Sequence, residues 1–98
     1  MAMYLKPGVD ISRLERNTRR GLQTITDIYE ANGSRLFLNS TYGDVHMAGS
    51  LHYANQAFDT SHPEKDKEHI MILCISKLGR NWDVVPKGSY VHWEFDPK

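Results

Sequence analysis

The stretch SLHYANQAFD, residues 50–59, holds a histidine, His52, and ends on a carboxylate, Asp59. On an uninterrupted strand, their odd separation would point the two side chains to opposite faces of a sheet. They can converge only if the chain bends between them. Asn55 tolerates turn conformations, and Ala57 leaves room beside the carboxylate. The stretch therefore predicts a bend that directs His52 and Asp59 at one place.

The segment SYVHWEF, residues 89–95, contributes a third group, His92. Alternation along a strand places its apolar and polar side chains on opposite faces. The apolar face carries Val91, Trp93 and Phe95, and the polar face carries Tyr90, His92 and Glu94. A polar row that simply faces water is the alternative interpretation. Two imidazoles and one carboxylate suit zinc, and they leave a fourth tetrahedral position for a water that the metal would activate. We therefore predict a Zn²⁺ site formed by His52, Asp59 and His92.

The elements that must position these groups follow from hydrophobic periodicity. Asp10 is a candidate N-cap, and Asn32-Gly33 a candidate helix end. Ser61 and Glu64 have the spacing of a capping box, and Gly79 ends the second apolar pattern. The predicted helices cover 10–31 and 60–79, and the predicted strands cover 35–41, 82–86 and 89–95. In the second helix the predicted buried stripe is Ile70, Leu73, Cys74 and Leu78.

Composition limits the class of protein. The chain has 98 residues, which fits a single domain over 1–98, expected to be a monomer. Twelve basic residues balance twelve acidic ones, which argues against a nucleic-acid or membrane-surface binder. The single cysteine, Cys74, excludes an intramolecular disulfide. No long apolar run is present, so we expect neither a signal peptide nor a membrane span.

The stretch 50–59 resembles the zinc motif of the D-Ala-D-Ala carboxypeptidases and dipeptidases and related phage endolysins, approximately Ser-x-His-x-x-Gly-x-Ala-x-Asp. It also resembles the signalling domain of hedgehog proteins, which shares that fold and zinc site. The ending YVHWEFDPK resembles the last segment of the family. The resemblance implies an α+β fold, with a small antiparallel sheet packed against two helices. It assigns the metal ligands to His52, Asp59 and His92, and it places Asn55 where the family has glycine.

The resemblance also suggests roles for other residues. His46 matches a site-lining position of the hedgehog domain, although it could equally be an ordinary loop histidine. Tyr90 replaces the first histidine of the family's His-x-His segment, and its hydroxyl could donate a hydrogen bond to an oxyanion.

The general base is the main departure from the family. The positions that carry a base in the family hold Ser89 and Pro86 here, and neither can accept the proton. The remaining candidates are Asp83, Glu94 and Asp44. Glu94 shares the predicted face of His92, and a supporting role beside that histidine is its alternative.

The resemblance implies a zinc metallopeptidase that hydrolyses peptidoglycan stem-peptide bonds, and a phage- or prophage-encoded protein released to the cell wall. The first alternative is a zinc-binding or ligand-binding module of the same fold without turnover, which the missing base favours. The second alternative is an α/β adaptor without metal.

Overall fold

The computed structural model describes residues 3–9, 11–12, 14–41 and 56–97. Within these ranges the chain forms two helices and five strands, which confirms the α+β class. In chain order the elements are β1 (Met3–Leu5), α1 (Arg16–Ala31), β2 (Leu36–Thr41), β3 (Ala57–Thr60), α2 (Lys67–Leu78), β4 (Trp82–Pro86) and β5 (Val91–Phe95). Neither of these helices combines the length and the apolar character needed to cross a membrane.

The five strands form one mixed sheet in the order β1-β2-β3-β5-β4. The prediction of a purely antiparallel sheet is wrong at one edge, because β1 pairs with β2 in parallel. A parallel pair needs a long crossover connection, and α1 lies in the connection between these two strands. The other three pairings are antiparallel.

Helix α1 ends as predicted but begins later. The side chain of Glu15 accepts hydrogen bonds from the backbone N–H groups of Asn17 and Thr18, at 2.9 and 3.3 Å, and so caps the helix. The predicted start at Asp10 is therefore wrong. At the other end Asn32 is the C-cap, and Gly33 follows with a φ of 77°, a conformation that glycine adopts without strain.

Helix α2 begins at Lys67, so the predicted capping box is also wrong. The two residues of the box bond to β2 and the residue before it instead. The Ser61 hydroxyl accepts from the backbone N–H of Phe37 at 3.0 Å. Glu64 accepts from the guanidinium and the backbone N–H of Arg35, each at 2.8 Å. This segment is therefore a connection fastened to the sheet rather than a first helical turn.

The core lies between the two helices and one face of the sheet, which we call the inner face. The apolar face predicted for β5 is confirmed, since Val91 and Trp93 are both 0% exposed. Cys74 is buried in the same cluster, as predicted, and burial raises the pKa of its thiol to about 12. On α2 the predicted stripe is partly wrong, because Met71 is buried while Leu73 is only half-buried.

Candidate functional site

The opposite face of the sheet, the outer face, carries two of the predicted metal ligands side by side. Asp59 on β3 and His92 on β5 are direct register partners. Their neighbours Phe58 and Trp93 belong to the core, so alternation turns Asp59 and His92 outward. The Nδ1 atom of His92 lies 2.7 Å from Oδ1 of Asp59. The structure thus brings together one imidazole and one carboxylate in the middle of the sheet.

Ser40 joins this pair because of an irregularity in β2. Leu38 pairs with Thr60, but Ser40 pairs with Asp59, so two steps along β2 correspond to one along β3. Such a bulge changes the face to which the following side chain points. The Ser40 hydroxyl consequently donates to Oδ2 of Asp59 at 3.2 Å. Sequence reasoning missed Ser40, because simple alternation would have placed it beside the buried Leu38.

Glu94 occupies the other side of the imidazole. Its Oε1 atom lies 3.2 Å from Nε2 of His92, so each ring nitrogen faces a carboxylate. The hydrogen bond to Asp59 is the largest influence, and it raises the pKa of His92. Partial burial of the ring opposes this effect, and Glu94 adds to it. The two carboxylates therefore stabilise the protonated form of the ring relative to a free histidine.

Asp83 and Tyr90, the other predicted site residues within the described ranges, lie next to this cluster. Asp83 on β4 is the register partner of Glu94, so both carboxylates lie on the outer face. Tyr90 immediately precedes β5, and its carbonyl accepts the backbone N–H of Lys87 at 2.7 Å. The backbone of Tyr90 thus closes the turn between β4 and β5.

The remaining predicted site residues, His46 and His52, lie outside the described residues, as do Asp44 and Asn55. Within 3–9, 11–12, 14–41 and 56–97, no group of three or more His, Cys, Asp or Glu side chains is arranged to hold a metal ion. The predicted ligand set includes His52, so only two of its three members can be placed.

The geometry of those two members can be compared with what zinc requires. Zinc–ligand bonds of roughly 2.0–2.2 Å at tetrahedral angles separate two ligand atoms by about 3.4 Å. The observed separation between Nδ1 and Oδ1 is 2.7 Å, so the two atoms would have to move about 0.7 Å apart to share the ion. An ion shared with Asp59 would take Nδ1 of His92 and leave Nε2–H to donate to Glu94. A carboxylate on the second nitrogen is the usual support for a metal-binding histidine. The donor pair therefore fits zinc.

Comparisons with known proteins add no relative: no family model, no curated protein and no solved structure matches the chain. The functional interpretation therefore depends on the resemblance of 50–59 and the C-terminal segment, and on the geometry of this cluster.

Proposed function

We propose that the chain is a zinc-dependent peptidase of the hedgehog/D-Ala-D-Ala-peptidase type that hydrolyses peptidoglycan stem peptides. His52, Asp59 and His92 would hold the metal. The observation that supports this proposal best is the 2.7 Å contact between Asp59 and His92. The resemblance of 50–59 and of the C-terminal segment identified the same two residues independently.

A bound zinc ion would supply an activated water and polarise the substrate carbonyl. The protein's own groups would hold the metal and orient its ligands. Ser40 fixes one oxygen of Asp59, which leaves the other to face His92. Glu94 would accept the hydrogen bond of Nε2–H and so favour the ring tautomer in which Nδ1 is available to the metal. Asp83, the register partner of Glu94 on the outer face, is then the remaining described candidate for receiving the proton of the attacking water.

The second candidate function is a zinc-binding or ligand-binding module without turnover. It is favoured by the engagement of Glu94 with His92, which leaves this carboxylate less suited to act as the general base. The two candidates share the metal site and differ only in whether a carboxylate can deprotonate the water.

Measurements of zinc stoichiometry and affinity test the metal site that the two candidate functions share. We expect the wild-type protein to bind one Zn²⁺ per chain, and Asp59→Ala and His92→Ala to abolish tight binding. His69→Ala, an exposed histidine of α2, is the matched control and should bind zinc normally. Wild-type protein that binds no zinc, or ligand variants that bind like the control, would refute the proposal.

Turnover separates the two candidates. The peptidase should release D-alanine from a D-Ala-D-Ala peptide or cleave a cross-linked stem peptide, and the binding module should do neither.

Two substitutions at Glu94 then separate its possible roles. If Glu94 orients the imidazole, Glu94→Gln keeps an acceptor for Nε2–H and much of the activity, while Glu94→Ala weakens zinc binding by about 10–100-fold. If Glu94 is the base, Glu94→Gln abolishes turnover while zinc binding is unchanged. Asp83→Asn gives the second result under our assignment.

A further inference from the structure

The contacts at the ends of the two helices show that α1 and α2 run antiparallel. A Cβ atom built on Gly33, just after α1, would touch the side chain of Lys65, just before α2. A Cβ atom built on Gly21, in the first half of α1, would overlap the ring of Trp82, shortly after α2. The fold therefore brings two distant segments, 14–24 and 75–82, to one end of the helix layer.

These two segments are rich in positive charge, and we call them together the cationic end. They contain one carboxylate, Glu15, and five exposed cations, Arg16, Arg19, Arg20, Lys77 and Arg80. Both oxygens of Glu15 accept hydrogen bonds from the first turn of α1. None of the five cations forms an ion pair with another residue that the structure describes. The next carboxylate along the chain, Asp83, lies on the outer face of the sheet. The neutral total charge of the chain thus conceals a concentrated positive surface.

Helix electrostatics do not account for the arginines of α1. The N-terminal end of a helix carries a partial positive charge, so cations are unfavourable there. The first turn of α1 contains no acidic residue that would offset them. Arg16 precedes Arg19 and Arg20 by three and four residues, and like charges at these spacings repel each other on one helix face. An anion bound across these side chains would relieve both effects.

The cationic end suits a ligand that carries several phosphate groups and no bases. A guanidinium group presents a planar fork that matches two phosphate oxygens. Five cations on two helices match a repeated charge better than one small anion. A single-stranded nucleic acid would also require aromatic side chains on which its bases stack. The one exposed aromatic side chain among the described residues is Tyr4, which lies on β1 against Phe37.

We propose that the cationic end binds a phosphodiester polymer without bases, of the polyol-phosphate type that accompanies peptidoglycan in cell walls. The polymer lies across the ends of both helices and places its phosphates at the arginines of α1 and at Lys77 and Arg80. The inference rests on the proposed function in one respect, because a peptidoglycan peptidase meets such a polymer beside its substrate. Binding at the cationic end requires neither zinc nor its ligands, so it can be measured separately.

The test uses the full chain treated with EDTA and a short fluorescein-labelled poly(glycerol phosphate), followed by fluorescence anisotropy. We expect saturable binding that weakens by about ten-fold or more between roughly 50 and 200 mM salt, because each phosphate contact releases counterions. The double variants Arg16→Gln/Arg20→Gln and Lys77→Gln/Arg80→Gln should each weaken binding by about ten-fold, since each removes two contacts.

The matched control is Lys65→Gln/Lys67→Gln. It removes the same charge from two exposed lysines at the opposite end of the helix layer, and it should bind the polymer as the wild type does. An equal loss of affinity in this control would assign binding to total charge and would overturn the inference.

A stability measurement separates binding from folding. Glutamine and arginine have similar helix propensities, and Arg16→Gln/Arg20→Gln removes repulsion from α1. This variant should therefore unfold at the same urea concentration as the wild type or at a higher one, although it binds the polymer more weakly. A lower urea midpoint would assign the two arginines to the stability of the fold and would contradict our inference.

Three other anions test the class of the partner. Polyglutamate, single-stranded DNA and phosphatidylglycerol vesicles should each bind more weakly than poly(glycerol phosphate), and equal or tighter binding of any of them would overturn the inference. Zinc binding without polymer binding overturns this inference alone. Polymer binding without zinc binding overturns the proposed function instead.

Discussion

Gly21 in the middle of α1 is the described glycine at which an added Cβ atom would come closest to a neighbouring residue. A Cβ atom built on Gly21 would overlap Cζ2 of Trp82 and lie 2.5 Å from Cη2 of the same ring. Trp82 begins β4, and its ring lies between Phe58 at 6.0 Å and Phe95 at 5.6 Å, measured between ring centroids. Moving the indole aside would therefore disturb its contacts with β3 and β5.

Two opposing effects set the result of Gly21→Ala. Alanine is favoured over glycine inside a helix by about 1 kcal/mol. Forcing an extra methyl group into a packed contact costs roughly 1–3 kcal/mol, and more where the neighbour is confined. Because the overlap is with a large ring that packs against Phe58 and Phe95, we expect the packing cost to prevail and the free energy of unfolding to fall by about 1–2 kcal/mol.

Urea denaturation followed by tryptophan fluorescence measures this change. Gly88→Ala is the control, since no heavy atom lies within 4 Å of a Cβ at that position. The control should change the free energy of unfolding by less than about 0.5 kcal/mol. If Gly21→Ala instead stabilises the protein by the amount that helix propensity alone gives, the close approach of α1 to Trp82 is wrong.

Three further predictions concern the core and the site. Thr60→Val removes the hydroxyl that accepts from Nε1–H of the buried Trp93 at 2.9 Å, so the free energy of unfolding should fall by about 1–3 kcal/mol; an unchanged urea midpoint would contradict that bond. The thiol of Cys74 has its pKa raised to about 12 by burial, so it should not react with a disulfide reagent at pH 8 until the protein unfolds, and rapid labelling of the native protein would contradict its burial. The pKa of His92 is raised mainly by Asp59. The contribution of His92 to the free energy of unfolding should therefore be complete below the ordinary histidine pKa of about 6.5, and it should be lost as the pH rises through the pKa of His92 in the folded protein. Urea titrations of EDTA-treated protein between pH 6 and 9 measure this loss, which should be absent in His92→Asn; an equal pH dependence in that variant would assign the effect to another group.

The sequence predicted β2, β4 and β5 and the faces of β5 because alternation is a local property. It did not predict β3, whose four residues are Ala57–Thr60, and it placed Thr60 in the second helix. The apolar side chains of β5 pack in the core, where Val91 and Trp93 are fully buried. The parallel pairing of β1 was not predictable in the same way. Its partner Leu36 lies far along the chain from Met3, and nothing in a three-residue strand specifies its direction.

The helix starts were predicted less well because capping residues can bond elsewhere. Ser61 and Glu64 have the spacing of a capping box, but the backbone N–H of Phe37 and the side chain of Arg35 offer them partners in the tertiary structure. At α1 a residue that is less common as an N-cap takes this role. The side chain of Glu15 accepts a hydrogen bond from a backbone N–H of the first helical turn.

In the candidate site, too, some residues could be predicted from local sequence and others depend on the tertiary structure. Asp59 and His92 could be named from the motif and from the polar face of the last strand. Ser40 could not, because its position depends on a bulge between Leu38 and Ser40 that only the pairing with β3 reveals. The partnership of Glu94 with His92 was one of two open interpretations, and the hydrogen bond between them now favours the supporting role.

The place of β5 in the sheet has a consequence for biogenesis. Val91–Phe95 follows the other four described strands in the sequence, yet it lies between β3 and β4, which do not pair with each other. A nascent chain that has not yet released these residues from the ribosome has neither His92 nor the ladder that joins β4 to the rest of the sheet. The ladder between β4 and β5, and the contact between Asp59 and His92, can therefore form only after these residues have left the ribosome.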